Sequence, residues 1–455
     1  MAIAKNIAAF TLSLSTLLCT PLSHAESTKV YPATLAGHAI LPANSYVAAP
    51  KDAPENLHTS GKYTENGLRT EKQGSVEGLS AGRPTGISLP FKGQPLQGHS
   101  GIKRMADGSY WLLTDNGAGA KANSPDFMLY LNQYDVDFDK GRFKHLRSVF
   151  LHDPDKKVPF HIVNEATKQR YLTGADFDPE SVQLVGDTFW IGDEFGPYLI
   201  KADKNGRVLA IFDTQLNGQT LHSPDHFQVK TPGVPTDQVA FEVKRSKGFE
   251  GMALSQDGSK LYALLEGPVW DKQQQAYETV NGTQALRVLE FDLNTEAWSG
   301  RSWFYPLAKN GLSIGDFNMI DAERGLIIER DDGEGVAAYA CEAGQKGPGC
   351  FHDLPKIKRV YMIKLNEQNV GQAVTKLGYI DLLNIQDPQQ KARKALSNGV
   401  FQFPFFTIEN VDIVDAEHIV VGNDNNLPFS SSREPNQADD NELILLNVKD
   451  FLQAR

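Results

Sequence analysis

Short apolar runs, paired across a tight polar turn, recur along this chain, and residues 248–268 show the pattern most fully. Met252-Ala253-Leu254 and Leu261-Tyr262-Ala263-Leu264-Leu265 flank Gln256-Asp257-Gly258, whose Asp-Gly pair supplies the positive φ that tight hairpin turns require. Glu250 and Glu266 stand at the two ends. The strands of a hairpin are antiparallel, so its entry and exit lie together opposite the turn. Both carboxylates are therefore expected on one face.

Four further hairpins repeat the design. One runs from Gly98-His99-Ser100-Gly101-Ile102 to Thr114-Asp115-Asn116-Gly117, and one from Asp178-Pro179-Glu180-Ser181 to Asp193-Glu194-Phe195-Gly196-Pro197. Another joins Gly315-Asp316-Phe317 to Glu329-Arg330-Asp331, and the last joins Ile408-Glu409-Asn410-Val411 to Asn423-Asp424-Asn425. The first flanking residue precedes the second by 13 to 16 positions throughout, the regularity of a repeat fold. Val76-Glu77-Gly78-Leu79-Ser80 is a partial echo without a clean hairpin after it.

Further strand-like runs between the hairpins bring each unit to about four strands, with no βαβ alternation. The expected fold is all-β: a β-propeller of about six four-stranded blades, with five to seven compatible, each unit's first strand lining the axis. Unit starts lie about 65 to 95 residues apart, longer than the ~40–50 of compact blades, so inserted loops are required. Segments 156–173, 217–238, 269–283, 333–358 and the polar, helix-like 388–397 are the candidates. The last strand-like run, 442–448, can share a blade with an N-terminal strand and close the ring.

The first 25 residues alter this picture. Lys5, an interrupted apolar run over 7–18 and a small-residue pattern ending at Ala25 are those of a secretory signal peptide; the run is short of the ~20 residues of a spanning helix. The expected location is periplasmic or secreted, with no membrane span after cleavage. The formal charge of −11 becomes −12 once Lys5 is removed, and no basic run is present, so nucleic acid is not an expected partner. Of three cysteines, Cys341 and Cys350 remain. In an exported chain so close a pair reads most simply as a disulfide pinning one loop, with two free thiols the alternative.

In a propeller the starts of the innermost strands converge on one mouth. That gathers Asp115, Glu180, Asp193, Glu194, Glu250, Glu266, Glu329, Asp331, Glu409 and Asp424. Carboxylates at close range raise one another's pKa unless a cation compensates them, and a hard cation with oxygen ligands, Ca²⁺ above all, is the economical answer. Turn caps and rim ion pairs with lysine are the alternative use for any single acid. Asp115, Glu180, Glu194, Glu250, Glu409 and Asp424 are the expected metal ligands. Glu180, Glu250 and His99, which precedes an axial strand, are the candidate catalytic groups, with a hydrogen-bonded structural histidine the other reading of His99. Gly98-His99-Ser100-Gly101-Ile102 lacks the second glycine of a nucleophile elbow and sits in a hairpin. Asp135-Val136-Asp137-Phe138-Asp139 lacks the closing Glu of an EF-hand loop.

Together, Gly-His-Ser-Gly at 98–101, Thr-Asp-Asn-Gly at 114–117, Asp-Pro-Glu-Ser at 178–181, Asp-Glu-Phe-Gly-Pro at 193–197, Phe-Glu-Gly-Met-Ala at 249–253, Glu-Arg-Asp at 329–331 and Glu-Asn-Val-Asp at 409–412 resemble the phytase-like family, named for an "esterase-like activity of phytase" domain. The resemblance covers about 98–448 and implies an exported β-propeller that hydrolyses phosphate esters. The organisation becomes a signal peptide at 1–25, an extended lead-in at 26–74, part of which can close the ring, and a phytase-like propeller domain at 75–455. An acidic chain repels a polyanionic ester, so such hydrolysis requires Ca²⁺ at the mouth to bridge phosphate and activate a water. Arg330, Arg104 and Lys103 are then the expected phosphate contacts, and a small ester or phosphate ester the partner. Two alternatives stay open: a metal-dependent lactonase or sugar-ester hydrolase, and a non-catalytic binding or scaffold propeller with a structural calcium site. Oligomeric state is left unspecified.

Overall fold

The computed structural model describes residues 28–69, 74–345 and 347–455; the expected signal peptide, with Lys5, lies outside them. Twenty strands form five four-stranded blades. The first blade runs His99–Arg104, Tyr110–Thr114, Tyr130–Asp137 and Arg142–Phe150; the second Pro179–Val185, Thr188–Asp193, Tyr198–Asp203 and Val208–Asp213. The third comprises Phe249–Leu254, Lys260–Leu265, Thr283–Asp292 and Ala297–Pro306. Ser313–Met319, Arg324–Arg330, Lys358–Lys364 and Thr375–Gln386 make the fourth, and Ile408–Ile413, His418–Asn423, Asn441–Asn447 and Val30–Leu41 the fifth. The first strand of each blade packs against those of its two neighbours, so the ring closes at five.

Closure is made by the N-terminal strand. Val30–Leu41 pairs antiparallel with Asn441–Asn447, and its two ends also bridge in parallel to the outer strands of the fourth and first blades. A sheet edge otherwise left bare is thereby paired. Five is the low end of the anticipated range. The echo at Val76–Ser80 supplies no inner strand and forms a small hairpin with Arg83–Leu89, laid on the loop after the fifth blade's second strand: the Thr85 hydroxyl donates to the carbonyls of Gly78 (3.2 Å) and Pro428 (2.7 Å).

The first and third hairpins turn on an Asp-Gly pair, Asp107-Gly108 and Asp257-Gly258, with the glycine at positive φ. Gly258 has φ +71° and the Asp257 carboxylate accepts from the Ser259 amide. Apolar faces of adjacent blades pack together, with Trp111, Trp190 and Trp303 among the large side chains fully buried. The helix expected over 388–397 is absent. The Asp387 carboxylate accepts from the backbone N–H groups of Lys391 (2.7 Å) and Ala392 (3.0 Å), a local bond that competes with helix. Cys341 and Cys350 form a disulfide. Among the described residues no helix is long and apolar enough to cross a membrane.

Candidate functional site

All five inner strands share a defect at the same place. The pairing of first and second strands slips between His99 and Gly101, Pro179 and Ser181, Phe249 and Gly251, Ile314 and Phe317, and Ile408 and Asn410. These are β-bulges, which re-aim a side chain and often border active sites. The bulged residues are Ser100, Glu180, Glu250, the Gly315-Asp316 pair and Glu409, so three of the five turn a glutamate toward the mouth.

A second tier follows from the register. His99 pairs with Thr114, Asp193 with Pro179, Leu265 with Phe249, Glu329 with Ile314 and Asn423 with Ile408. The next residues along the second strands, Asp115, Glu194, Glu266, Arg330 and Asp424, therefore occupy equivalent places. The two tiers enclose a cavity of about 170 Å³ lined by Asp115, Glu180, Glu194, Glu250, Glu266, Arg330, Glu409 and Asp424, together with Asp178, Asn116, Asn426 and Lys247. Gly98, with φ +65°, makes room there: a Cβ would stand 2.3 Å from the Asp115 carboxylate.

The six anticipated metal ligands thus meet in one cavity, as does Arg330, but other expectations are corrected. His99 does not line the cavity. Its ring lies edge-on to Tyr134 in the wall of the first blade, and burial, then His145, pushes its pKa down to about 3. A histidine so held is neutral at ordinary pH and turned away from the mouth. Lys103 and Arg104 are carried by their strand away from the bulge at Ser100. The Lys103 ammonium donates to Asn318 (3.1 Å) and Asp412 (3.3 Å), while the Arg104 amide donates to Asp412 (2.8 Å). Asp193 fixes a turn, accepting from the amides of Asp178 (2.8 Å) and Gly196 (2.7 Å). Glu329 is taken by Tyr305, Ala308 and Lys376, and Asp331 by the amides of Lys356 and Ile357.

Asp178 and Lys247 were not anticipated. Asp178 repeats the acid pattern two residues before a bulge, and Lys247 sits next to the glycine that opens the template hairpin; those positions were their only signals. Lys247 is ion-paired with Glu266, and Arg330 donates to Glu409 at 3.0 Å. Burial works against both cations, but Glu266 and Glu194 hold the Lys247 pKa above its usual value, and Glu409 and Glu266 hold that of Arg330 above its own.

The acids are far from balanced. Eight carboxylates face those two cations. Burial, reinforced by neighbouring carboxylates, raises Asp115, Glu180, Glu194, Glu250 and Asp424 well above the usual range; burial raises Asp178 to about 6 against hydrogen bonds with Glu180 and Asn116. Glu409 is raised too, with Arg330 opposing. One oxygen each of Asp178, Glu194, Glu250 and Glu266 is buried with no hydrogen-bond partner. Buried polar atoms of this kind are costly, and an all-oxygen, anionic donor set suits a hard divalent cation.

A family model described as "Phytase-like: Esterase-like activity of phytase" matches residues 94–427. An uncharacterized secreted protein of Arthroderma benhamiae is 30% identical over 133 residues, 26% of this chain, and the match spans only 24% of that protein's length. Among solved structures, the periplasmic gluconolactonase PpgL of Pseudomonas aeruginosa is similar at 13% identity and TM-score 0.32, over 86% of this chain and 98% of that one. A putative 6-phosphogluconolactonase of Bacteroides fragilis is similar at 12% identity and TM-score 0.29, over 80% and 97%.

Proposed function

The chain belongs to the phytase-like family, and from that premise we propose that it is an exported hydrolase of small esters, cleaving phosphate monoesters with calcium at the mouth of the propeller. The observation that carries this reading is the set of buried, partnerless carboxylate oxygens on Asp178, Glu194, Glu250 and Glu266 around one cavity. The disulfide and the secreted relative support export. Asp178, Glu180, Glu194, Glu250 and Glu266 would hold calcium, with Asp115, Glu409 and Asp424 around them. Bound calcium supplies Lewis acidity and positive charge for phosphate oxygens.

The chain's own groups do the rest. Arg330, braced by Glu409 and 5.8 Å from the Phe406 ring, presents a guanidinium to the substrate anion. Asn116 and Asn426 line the same cavity. Glu180 and Glu250, pointed inward by their bulges, are placed to take a proton from an attacking water. A cavity of about 170 Å³ is below the several hundred Å³ of drug-sized sites and takes one head group.

The shortage of cations favours a second reading, hydrolysis of an uncharged ester such as a sugar lactone. Phosphate release from p-nitrophenyl phosphate and phytate, and ring opening of gluconolactone, measured with calcium and with chelator, decide between them. The expected result is calcium-dependent release from the simple monoester, with at least tenfold less from phytate. Turnover of lactone alone favours the second reading. Calcium-dependent melting without turnover of any ester rejects both.

A further inference from the structure

The carboxylates at the mouth fall into two groups. Asp178, Glu180 and Glu194 can each bring an oxygen within 4.8 Å of the others, and so can Glu194, Glu250 and Glu266. Glu194 belongs to both. The four partnerless oxygens divide in the same way: that of Asp178 lies in the first group, those of Glu250 and Glu266 in the second, and that of Glu194 in the shared residue. All four side chains are at least nine-tenths buried, at 3 to 6% exposure, so water does not serve them freely.

We infer that the mouth holds two divalent cations, one in each group, with the Glu194 carboxylate between them. The inference rests on the calcium reading above but concerns the number and place of the ions. Charge supports it. With eight carboxylates and two side-chain cations at the cavity, one divalent ion leaves four negative charges without a counterpart, and two ions leave two. Coordination supports it as well. Three carboxylates supply only part of the six to eight oxygens calcium takes, so each group retains positions for water and substrate oxygens, and neither group contains both Asp178 and Glu266. The division also follows from the fold. The first group comes from the second blade alone, and the second group joins the third blade to it through Glu194, the residue after the strand Thr188–Asp193.

Equilibrium dialysis against calcium, after removal of metal by chelator, tests this on the full mature chain. The wild type is expected to bind two ions, and Asp178→Asn and Glu266→Gln one each. Glu194→Gln should weaken both by at least tenfold. Melting of each variant in chelator checks that it is folded. Terbium-to-europium energy transfer in the wild type gives a reading independent of any variant, because efficient transfer requires two ions held close together. One ion in the wild type, loss of both in Asp178→Asn, or no transfer overturns the inference. Two ions bound without turnover of any ester would leave it standing and remove the hydrolase reading. Calcium-dependent turnover with one ion would do the reverse.

Discussion

Glu250 and Glu442 are both glutamates near the end of a strand, both about as buried, and they are held in opposite ways. Glu442, at 2% exposure, receives Arg433 through Nε (2.8 Å) and Nη2 (2.6 Å), and the His38 ring at 2.9 Å. Burial alone would raise its pKa, but Arg433 and His38 overcome it and bring it down to about 2. Glu250, at 4% exposure, has one oxygen without a partner and faces Glu409, Glu266 and Glu194, so burial and repulsion act together to raise its pKa. The first arrangement ties the closing blade together, since Arg433 reaches from the loop and His38 from the N-terminal strand. The second spends stability on a site. Burial does not separate a structural acid from a functional one; the presence of an internal partner does.

Breaking the paired region should cost most. Arg433→Met leaves Glu442 buried beside His38 alone, and removing one partner of a buried pair typically costs about 3–5 kcal/mol. Glu250→Gln, in calcium-free buffer, should leave stability unchanged or raise it by about 1 kcal/mol, because it removes an uncompensated charge. Urea unfolding midpoints of the two variants give the comparison. Equal losses would mean that the mouth acids are internally satisfied.

The two regions should also respond to pH with opposite sign. For Asp115, Asp178, Glu180, Glu194, Glu250, Glu409 and Asp424 the folded pKa values lie above the unfolded ones. Their contribution is full below the unfolded carboxylate range near pH 4 and is lost as pH rises through the folded values, about 6 for Asp178. Glu442 is depressed, so its contribution is present above about pH 4.5 and fades only as pH falls through about 2. Without calcium the melting temperature should therefore drop by several degrees between pH 5 and 8. Calcium at a hundredfold excess over its dissociation constant should restore about 2.7 kcal/mol per bound ion at pH 8 and flatten the profile. Melting scans at both pH values with and without the ion check this; a calcium-free profile that is flat or rises with pH contradicts it.

Much of this is legible in the sequence. The apolar runs paired across tight turns, and the acids at their ends, placed Glu180, Glu194, Glu250, Glu409, Asp115 and Asp424 together because antiparallel geometry returns a hairpin to its starting end. The bulges were not legible, since they are slips of register between strands rather than features of either one. In the fourth blade that slip brings Arg330, not Glu329 or Asp331, to the second tier. The blade count falls at the low end of the expected range because Val76–Ser80 copies the local motif without an inner-strand position to fill. Lys103 and Arg104, expected among the phosphate contacts, lie three and four residues along the strand from the bulge at Ser100. A strand moves about 3.3 Å per residue, so three or four residues carry a side chain well down the axis.

That displacement gives the smallest predicted effect. Lys103 bonds to Asn318 and Asp412 with its side chain 23% exposed, and Asp412 keeps the amides of Arg104 (2.8 Å) and Ile413 (2.9 Å) when the lysine is removed. Lys103→Met should therefore cost no more than the ~1 kcal/mol of a partly exposed pair, and leave kcat/KM for a small ester within twofold. Arg330→Lys keeps the charge at the mouth but loses the planar fork that pairs with anions, and should lower kcat/KM about tenfold through KM. Steady-state kinetics on the same ester compare the two. A loss in Lys103→Met equal to that in Arg330→Lys would mean that the far end of the axis acts on the mouth, most directly through Asn318, which accepts from both Lys103 and Gln183; the mouth would then no longer stand as a self-contained site.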